Sequence, residues 1–428
     1  MRGSHKLGHG VLLPLIPTFS PPRRKPPKRG EKEHTVLALR PLAPMRIRGM
    51  TQAEVITQDL ANRIARVQAR MCERGLKSLI VYFNGQHYML RFNPLLYLSD
   101  YKTLGPSFLF LRHEGGPSLL ISPDWDLARA VEEGPCATIR AVPQEALATT
   151  AAEFAKTLPR PLALSGREHM TLNFSRQFLP LIDQDVRDAG DIVTDLVATR
   201  TDIELARVTS AAAIADEGFR ALRDAARVGM REYELAAEVE HAMQCAGSDD
   251  NYGLLGAGSH NLAVRAPTDR RIEEGDLIIG EITPCYRGYF AQLCRTLVLG
   301  TPSALQLEKY DLLMRAEDAG FAAALPGRPA SDIARAVNGV IGAAGYAEYC
   351  RQPYMRTRGH GLGFGGVVPS DVTESAGPAL ALNMTMVIHP NQYIPQTGYM
   401  MLGDTVVIEA GGPRALTTTP RQLFSKKS

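Results

Sequence analysis

The order of helical and strand-like runs in the second half of the chain limits its fold more than any other feature. Two long amphipathic runs, residues 201–229 and 231–247, are followed by two apolar strand-like runs, residues 276–284 and 288–300. Helical runs and then strand-like runs follow once more before the chain ends. Because helices followed by strands occur twice in the same order, the sequence predicts an internally duplicated α+β domain.

The first half of the chain has a different pattern. Residues 53–75 repeat apolar side chains at helical spacing and end in glycine, which predicts an amphipathic helix. Short apolar runs at residues 78–83, 107–111 and 117–122 are typical of buried strands. This alternation of helix and strand continues to about residue 195 and predicts an α/β domain.

These patterns divide the chain into three parts. Residues 1–44 are rich in Pro, Lys and Arg and lack hydrophobic periodicity, so we predict a disordered basic extension. Residues 45–197 form the first predicted domain and residues 198–428 the second. The second domain is predicted to begin with a helix, because Thr201 followed by Glu204 is a capping-box pattern.

Charge and cysteine spacing restrict the partners and the compartment. The chain has a net charge of +3, but residues 1–50 hold eleven Lys and Arg against two Glu, so the remainder is net negative. A net negative body lacks the basic face that nucleic acids require, and no run of about 18 to 20 apolar residues predicts a membrane span. The six cysteines form no CxxC pair, which indicates reduced thiols in a cytoplasmic protein.

Four short segments occur in a specific order in the second domain: PTDRRIEEGDLI, GYFAQLCRT, RGHGLG and LGDTVVIEAGG. In order and spacing they resemble the superfamily of creatinase, prolidase and methionine aminopeptidase. The resemblance covers residues 200–428 and implies the pita-bread fold for this part. Residues 45–197 resemble the amino-terminal domain of creatinase and prolidase more loosely, which implies an α/β domain in front of the pita-bread domain.

The metallopeptidases of this superfamily hold two divalent ions with two Asp, one His and two Glu. At those five positions this chain has, in order, Glu281, Gln292, His360, His389 and Gly403. A two-metal site needs several carboxylates to offset and bridge the two ions. One carboxylate, one amide and two imidazoles do not supply them, so no two-metal centre is predicted.

Two further histidines of the peptidases are replaced here by Val264 and Val367. The chain is more similar to a branch of the superfamily that has lost metal ligands, represented by creatinase and ectoine hydrolase. Glu281, His389 and the ending PRQLF carry this finer resemblance. A peptidase that uses the usual proton-transfer histidines is therefore not expected.

The resemblance implies a metal-independent hydrolase of a non-peptide C–N bond in a small, carboxylate-bearing nitrogen compound. Imidazole, with a pKa of about 6.5, can accept and donate a proton near neutral pH. We therefore predict that His360 and His389 are the general acid and base, and that Glu281 orients one imidazole or holds a cationic nitrogen. No metal ion and no cofactor are predicted.

Contacts to the substrate are predicted from the chemistry of a small carboxylate. An Arg side chain binds a carboxylate through two parallel hydrogen bonds, and tyrosines beside strands can line a pocket. The predicted substrate-binding residues are Gln292, Arg265, Arg356, Arg358, Tyr289 and Tyr399. Arg295 is expected to make a structural ion pair instead.

Two alternative functions remain open from the sequence. One divalent ion could be held by Glu281, His360 and His389, in a mononuclear-metal hydrolase or an Xaa-Pro-type aminopeptidase. The chain could also be a non-catalytic protein that binds a small molecule or a peptide on the same scaffold.

The resemblance also bears on assembly. In creatinase-like proteins the stretch that corresponds to residues 92–106 reaches the pocket of a neighbouring subunit. This implies a homodimer with shared sites, in which Tyr101 or Lys102 touches the substrate.

Overall fold

The structure is a computed structural model. It describes residues 52–87, 91–134, 138–182, 185–365 and 369–427. These residues all fall in one compact unit, Arg40–Ser428. The predicted extension 1–44 lies outside the described residues, and a domain boundary between residues 197 and 198 stays a prediction.

The first half is a mixed six-stranded sheet flanked by helices. Its elements are α1 (Gln52–Glu73), β1 (Ser78–Phe83), α2 (Pro94–Ser99), β2 (Ser107–Arg112), β3 (Ser118–Ile121), α3 (Leu127–Glu133), β4 (Thr138–Ala141), α4 (Leu147–Lys156), β5 (Leu162–Ser165), α5 (Leu172–Phe178), β6 (Arg187–Asp188) and α6 (Gly190–Leu196). The strand order is β4-β3-β2-β1-β5-β6, with β1 antiparallel to β2 and parallel to β5. Every residue of β1 is buried, as expected for a central strand covered on both faces.

The second half contains helices and strands in two successive sets. Its elements are α7 (Asp202–Ala225), α8 (Glu232–Cys245), β7 (Asp250–Gly258), β8 (Leu277–Tyr286), β9 (Tyr289–Phe290), β10 (Leu293–Leu299), α9 (Ala304–Ala323), α10 (Ser331–Ile341), β11 (Gly359–Gly361), β12 (Thr385–Ile388), β13 (Gln392–Ile394), β14 (Gly398–Met400), β15 (Gly403–Glu409), β16 (Gly412–Ala415) and β17 (Phe424–Lys426). The main sheet has the order β11-β12-β15-β10-β8-β7, and these neighbours are antiparallel. The repeated order of helices and strands confirms the predicted α+β duplication.

The predicted capping box forms at the start of α7. The Glu204 amide donates to Thr201 Oγ1 at 3.2 Å, and the Thr201 amide donates to Glu204 Oε2 at 2.8 Å. Two backbone N–H groups that the helix leaves unpaired are satisfied in this way. A local sequence pattern therefore fixes where the second half begins.

Helices cover one face of the main sheet and leave the other face to the candidate site. Ile282 of β8 belongs to the core that α7 and α8 form with the sheet. A side chain at Gly218 of α7 would lie only 2.9 Å from Ile282 Cγ2, so the helix and the strand are in close contact. Because side chains alternate along a strand, Glu281 and Thr283 point away from the helices.

A buried ionic cluster joins the first half to α7. Asp100 accepts hydrogen bonds from Arg63 Nη2 at 3.0 Å and from both Arg207 Nη atoms at 3.2 Å. Asp59 lies 3.1 Å from Arg63 and 3.5 Å from Arg207. Burial alone would raise the pKa of Asp100, but the two guanidinium groups hold it below its usual range. Burial instead raises the pKa of Asp59, so Asp100 is the carboxyl that the two guanidinium groups hold in its charged form where the two halves meet.

None of the helices that the structure describes is long and apolar enough to cross a lipid bilayer.

Candidate active site

Glu281 lies in the middle of β8, on the face that the helices leave open. The antiparallel pairing of β8 with β10 places Glu281 opposite Cys294, and Cys294 is in turn opposite Gly403 in β15. The Gln292 side-chain amide lies close enough to Glu281 to lower the pKa of that carboxyl. Gln292 Oε1 and Nε2 nevertheless make no hydrogen bond of ordinary geometry among the described residues.

His360 and His389 lie on the neighbouring strands of the same sheet. His360 is in β11, and His389 directly follows β12; the two ring centroids are 5.8 Å apart at an angle of 67°. Both side chains are buried. Gly359 permits the close approach of β11, because it has a φ of 150° and a Cβ atom there would lie 2.1 Å from the Val387 carbonyl oxygen.

Contacts at Gly403 show that His389 and Glu281 share one face of the sheet. A Cβ atom at Gly403 would lie 2.5 Å from His389 Cβ, so His389 covers the position next to Cys294. Glu281 is in β8, three strands from β12 in the order β12-β15-β10-β8, which places the two backbones about 14 Å apart, or three strand spacings. Glu281, Gln292, His360 and His389 therefore lie on one face of the sheet, and their roles stay a prediction.

Burial controls the protonation of this surface. Burial raises the pKa of Glu281 to about 7, although the charge of Arg356 and the amide of Gln292 lower this pKa by smaller amounts. Burial also lowers the pKa of His389 to about 3, with a further contribution from His360, and it lowers the pKa of His360. Both imidazoles are therefore neutral at pH 7, and Glu281 is the group of this surface that titrates near neutrality.

The three predicted arginines have different surroundings. Both Nη atoms of Arg265 donate to Glu232, at 2.6 and 2.7 Å. Arg358 is fully buried, and its guanidinium donates to Asn338, Asn391 and Gln392. Arg356 is 67% exposed and lies 3.4 Å from Asp371. Its positive charge also acts on the pKa values of Glu281, His360 and His389, so Arg356 is the arginine of the three that faces the site.

The two predicted tyrosines are also placed differently. Tyr289 is fully buried, donates its hydroxyl to Glu204 at 2.9 Å and packs on Phe364 with centroids 4.9 Å apart. It is part of the packing between α7 and β9. Burial raises the pKa of Tyr399, and the charge of Glu281 raises it further. Tyr399 therefore presents a neutral hydroxyl near Glu281.

Other predicted contacts lie outside this surface. Tyr101 is buried and its hydroxyl donates to Asp126, while Lys102 Nζ donates to the Asp249 carbonyl oxygen at 3.1 Å. Both contacts are within the chain. Arg295 makes its expected ion pair, at 2.8 Å from Asp404.

The side chains present do not fit a two-metal centre. The position of the last glutamate is Gly403, where His389 leaves no room for a side chain. Glu281, His360 and His389 are the donor types that one divalent ion takes. Within the described ranges, however, no three His, Cys, Asp or Glu side chains are arranged so that they could hold an ion.

The tight contact at Gly403 gives a testable expectation. Gly403→Ala should lower the free energy of unfolding by about 1–3 kcal/mol, because the added methyl group overlaps His389. Gly411→Ala is the matched control, since nothing lies within 4 Å of a Cβ atom there. Urea unfolding of both variants measures the difference, and equal stability would mean that His389 does not cover this position.

Two residues of this surface were not predicted from the sequence. Thr283 and Cys294 share the face of Glu281, through alternation along β8 and through the pairing with β10. The alternation around Glu281 could have indicated Thr283. Cys294 depends on the register between two strands, which no local pattern reveals.

Comparison with known sequences identifies the family. A sequence model described as "Metallopeptidase family M24" matches residues 206–410. The Xaa-Pro dipeptidase of Pyrococcus furiosus is 30% identical over 244 residues, which cover 56% of this chain and 69% of that protein. The Xaa-Pro dipeptidase of Pyrococcus horikoshii is 28% identical over 248 residues, covering 56% of this chain and 68% of that protein.

Solved structures show the same architecture. The prolidase from Pyrococcus horikoshii OT3 superposes with a TM-score of 0.72 at 23% identity, covering 85% of this chain and all of that one. The Xaa-Pro dipeptidase from Bacillus anthracis gives a TM-score of 0.73 at 20% identity, covering 86% of this chain and all of that one. The predicted fold, a pita-bread domain preceded by an α/β domain of the creatinase and prolidase type, is confirmed.

These relatives also correct two predictions. The prediction of a metal-independent hydrolase of a non-peptide C–N bond is wrong, because the relatives are named Xaa-Pro dipeptidase. The prediction that no cofactor is used is wrong as well, because the family is described as one of metallopeptidases. The findings favour the alternative of an Xaa-Pro-type peptidase, and they do not support the finer resemblance to creatinase and ectoine hydrolase. The coarser prediction of a hydrolase acting on C–N bonds is confirmed, and the chain belongs to metallopeptidase family M24.

Proposed function

We propose that the chain is a hydrolase of the Xaa-Pro dipeptidase type, which cleaves the C–N bond before proline in a short peptide. One observation carries the proposal. In a chain 30% identical to an Xaa-Pro dipeptidase, the surface at the family's site holds a half-buried carboxyl, Glu281, whose pKa is raised to about 7 by loss of solvent.

The protonation of this surface suits amide hydrolysis. The reaction needs a base to activate water and an acid to protonate the leaving nitrogen. A carboxyl with a pKa of about 7 is present in both forms at neutral pH, so Glu281 can accept the first proton and return it. His360 and His389 are neutral there, and each can offer an N–H to the oxygen on which negative charge develops. The Tyr399 hydroxyl is a further donor near Glu281.

Family membership implies a divalent ion at this surface. Such an ion would supply Lewis-acid activation of water or of the carbonyl group. The described side chains do not form a two-metal centre, and Glu281, His360 and His389 are not arranged around one point. The proposed proton transfer and hydrogen bonds are therefore assigned to the side chains alone. Assays with and without added divalent metal measure whether the reaction needs an ion.

Arg356 is the proposed partner of the substrate carboxylate. It is exposed at the edge of the surface, and its charge reaches Glu281 and both histidines. We expect Arg356→Ala to raise the KM for alanylproline by a factor of about 10, because one charge-assisted hydrogen bond to the substrate is lost. Arg335→Ala, another exposed arginine paired with an Asp, serves as the control and should leave KM unchanged.

A second substrate separates this role from a structural one. Alanylproline amide lacks the carboxylate, so Arg356→Ala should change its KM by less than a factor of about 2. An equal rise for both substrates would show that Arg356 does not bind the carboxylate.

A substrate panel tests the proposed function. Purified protein, assayed without added metal and with Mn²⁺, Co²⁺ or Zn²⁺, is offered alanylproline, prolylalanine, alanylalanine, creatine and ectoine. The proposal requires hydrolysis of alanylproline in preference to the other four. Turnover of creatine or ectoine without turnover of dipeptides would contradict it.

The assembly and the cellular location of the protein are also proposed. A homodimer and a cytoplasmic location are consistent with a peptidase of small substrates, but Tyr101 and Lys102 both make contacts within their own chain. We therefore propose that a dimer, if formed, does not bring Tyr101 to its partner's site. Sedimentation equilibrium of the wild type measures the assembly.

A further inference from the structure

Arg358 is a buried cation whose hydrogen-bond acceptors are all neutral. Its side chain is fully buried, and its guanidinium forms no ion pair with any Asp or Glu that the structure describes. Burial lowers the pKa of this guanidinium. Burial also acts on Arg295, but there the ion pair with Asp404 helps to raise the pKa above its ordinary value. A buried charge without a counter-charge costs stability, so its presence beside His360 requires an explanation.

The side chain of Arg358 connects β11 with the segment that follows His389. Arg358 is two residues before His360, and its Nη1 donates to the Asn391 carbonyl oxygen at 2.8 Å. Its Nη2 donates to Gln392 Oε1 at 2.7 Å. The backbone makes a third link, because the His389 amide donates to the Arg358 carbonyl oxygen at 3.1 Å. One residue therefore joins the two chain segments that carry the histidines at three points.

Two of the acceptors of Arg358 are themselves held in place. Gln392 Nε2 donates to two backbone carbonyl oxygens, at 2.9 and 2.8 Å, so its Oε1 is left to face Arg358. Asn391 Oδ1 accepts from the Leu402 amide at 3.0 Å. The third acceptor, Asn338 Oδ1, belongs to α10 and is 2.7 Å from Arg358 Nε. A connected network of this kind restricts the movement of the side chains that it supports.

We propose that Arg358 is a positioning residue that fixes the spacing between His360 and His389, whose ring centroids are 5.8 Å apart. Arginine suits this role because its planar guanidinium presents donors in several fixed directions, whereas lysine has a single nitrogen. The role replaces the predicted contact of Arg358 with the substrate. Its effect on turnover rests on the proposed function, in which both imidazoles donate to the developing oxyanion. A displacement of about 1 Å can cost such a reaction a factor of about 10² in rate.

Two substitutions test the effect on turnover. Arg358→Lys keeps the charge but loses the planar fork of donors, and Arg358→Met loses both. We expect either variant to lower kcat for alanylproline by a factor of about 10 to 100 and to change KM by less than a factor of about 3. Asp100→Asn is the control, because it destabilises the fold at the junction of the two halves and should keep the wild-type kcat at a temperature where it is folded. A wild-type kcat in either folded Arg358 variant, or a rise in KM alone, would contradict the positioning role.

Nuclear magnetic resonance tests the same role without turnover. The protein is labelled with ¹⁵N-histidine, and the ring signals of His360 and His389 are assigned through His360→Gln and His389→Gln. We expect Arg358→Met to shift both signals and to leave that of His169, which is buried in the first half, in place. If the wild type hydrolyses no dipeptide but the two signals shift in this way, the proposed function fails and the positioning role stands. Signals that stay in place, or that move together with that of His169, would overturn the role.

Discussion

Replacing Glu281 with Gln is expected to lower kcat/KM for alanylproline by a factor of about 10² to 10⁴, the usual contribution of a positioned general acid or base. The amide keeps the size of the side chain and its place opposite Cys294, but it cannot take a proton from water. The control is Glu409→Gln, a glutamate at the end of β15 that is 44% exposed and paired with Arg414. It should keep wild-type activity. Glu281→Gln with more than about half of the wild-type rate would show that Glu281 transfers no proton.

The pH dependence of the same reaction follows from the raised pKa of Glu281. Because burial raises this pKa to about 7, the carboxyl takes up a proton as the pH falls through 7. The rate of a reaction that needs the ionised base should then fall about tenfold per pH unit below 7. His389 does not change charge in this range, since burial lowers its pKa to about 3, and burial also lowers the pKa of His360. A kcat/KM that stays constant between pH 5 and pH 7 would contradict this assignment.

Ionisation of Glu281 should raise the reaction rate but lower the stability of the folded protein. A carboxyl whose pKa is higher in the folded than in the unfolded state binds more protons in the folded state between the two values. Glu281 therefore destabilises the fold increasingly as the pH rises from about 4.5 to 7, relative to Glu281→Gln. The variant should gain stability over the wild type at pH 8 and lose this advantage at pH 4.

Asp100→Asn is expected to lower the free energy of unfolding by about 3–5 kcal/mol, the typical result of removing one partner from a buried ion pair. The substitution leaves Arg63 and Arg207 buried with only Asp59 to balance them. Asn is the suitable replacement, because residue 100 has a φ of 55° and Asn adopts this conformation readily.

The control for Asp100 is an ion pair on the surface. Asp191 lies 2.7 Å from Arg74 but is 58% exposed. Asp191→Asn should therefore cost at most about 1 kcal/mol. Urea unfolding at pH 7 compares the two variants. Losses of equal size would show that the cluster at the junction of the two halves is not buried from water.

Much of the fold could be predicted from local patterns. Helical periodicity and the capping box of Thr201 and Glu204 located α7, and the repeated order of helices and strands indicated the α+β duplication. These features depend on residues a few positions apart, which sequence patterns record. The register that places Cys294 opposite both Glu281 and Gly403 joins distant segments, and no periodicity determines it.

The candidate site was predicted in part. Glu281, His360 and His389 came from the resemblance to a known family, and the structure does bring them to one surface. The partners of Arg265 and Arg358 could not be foreseen, because Glu232 and Asn391 are 33 residues away along the chain. The raised pKa of Glu281 depends on burial, which the sequence around it does not reveal. For this reason the prediction from the sequence assigned proton transfer to His360 and His389 and not to Glu281.

The functional prediction failed for an identifiable reason. It inferred the reaction from the replaced metal-ligand positions, and this inference led to a metal-independent branch of the superfamily. The similarity to an Xaa-Pro dipeptidase extends over 244 residues, or 56% of the chain, and therefore reflects far more than five positions. The metal-ligand positions of the family are still occupied by other residues in this chain. Assays with and without added metal will show how this affects the reaction.

The most direct test of the proposed function is the release of free proline from alanylproline, followed by amino-acid chromatography. Wild type and Glu281→Gln are assayed side by side at pH 8, each without added metal and with Mn²⁺, Co²⁺ or Zn²⁺. We predict proline release by the wild type in at least one of these conditions, and a rate at least about 100-fold lower for Glu281→Gln in that condition. No proline release by the wild type in any condition, or equal release by both proteins, would contradict a dipeptidase that works through Glu281.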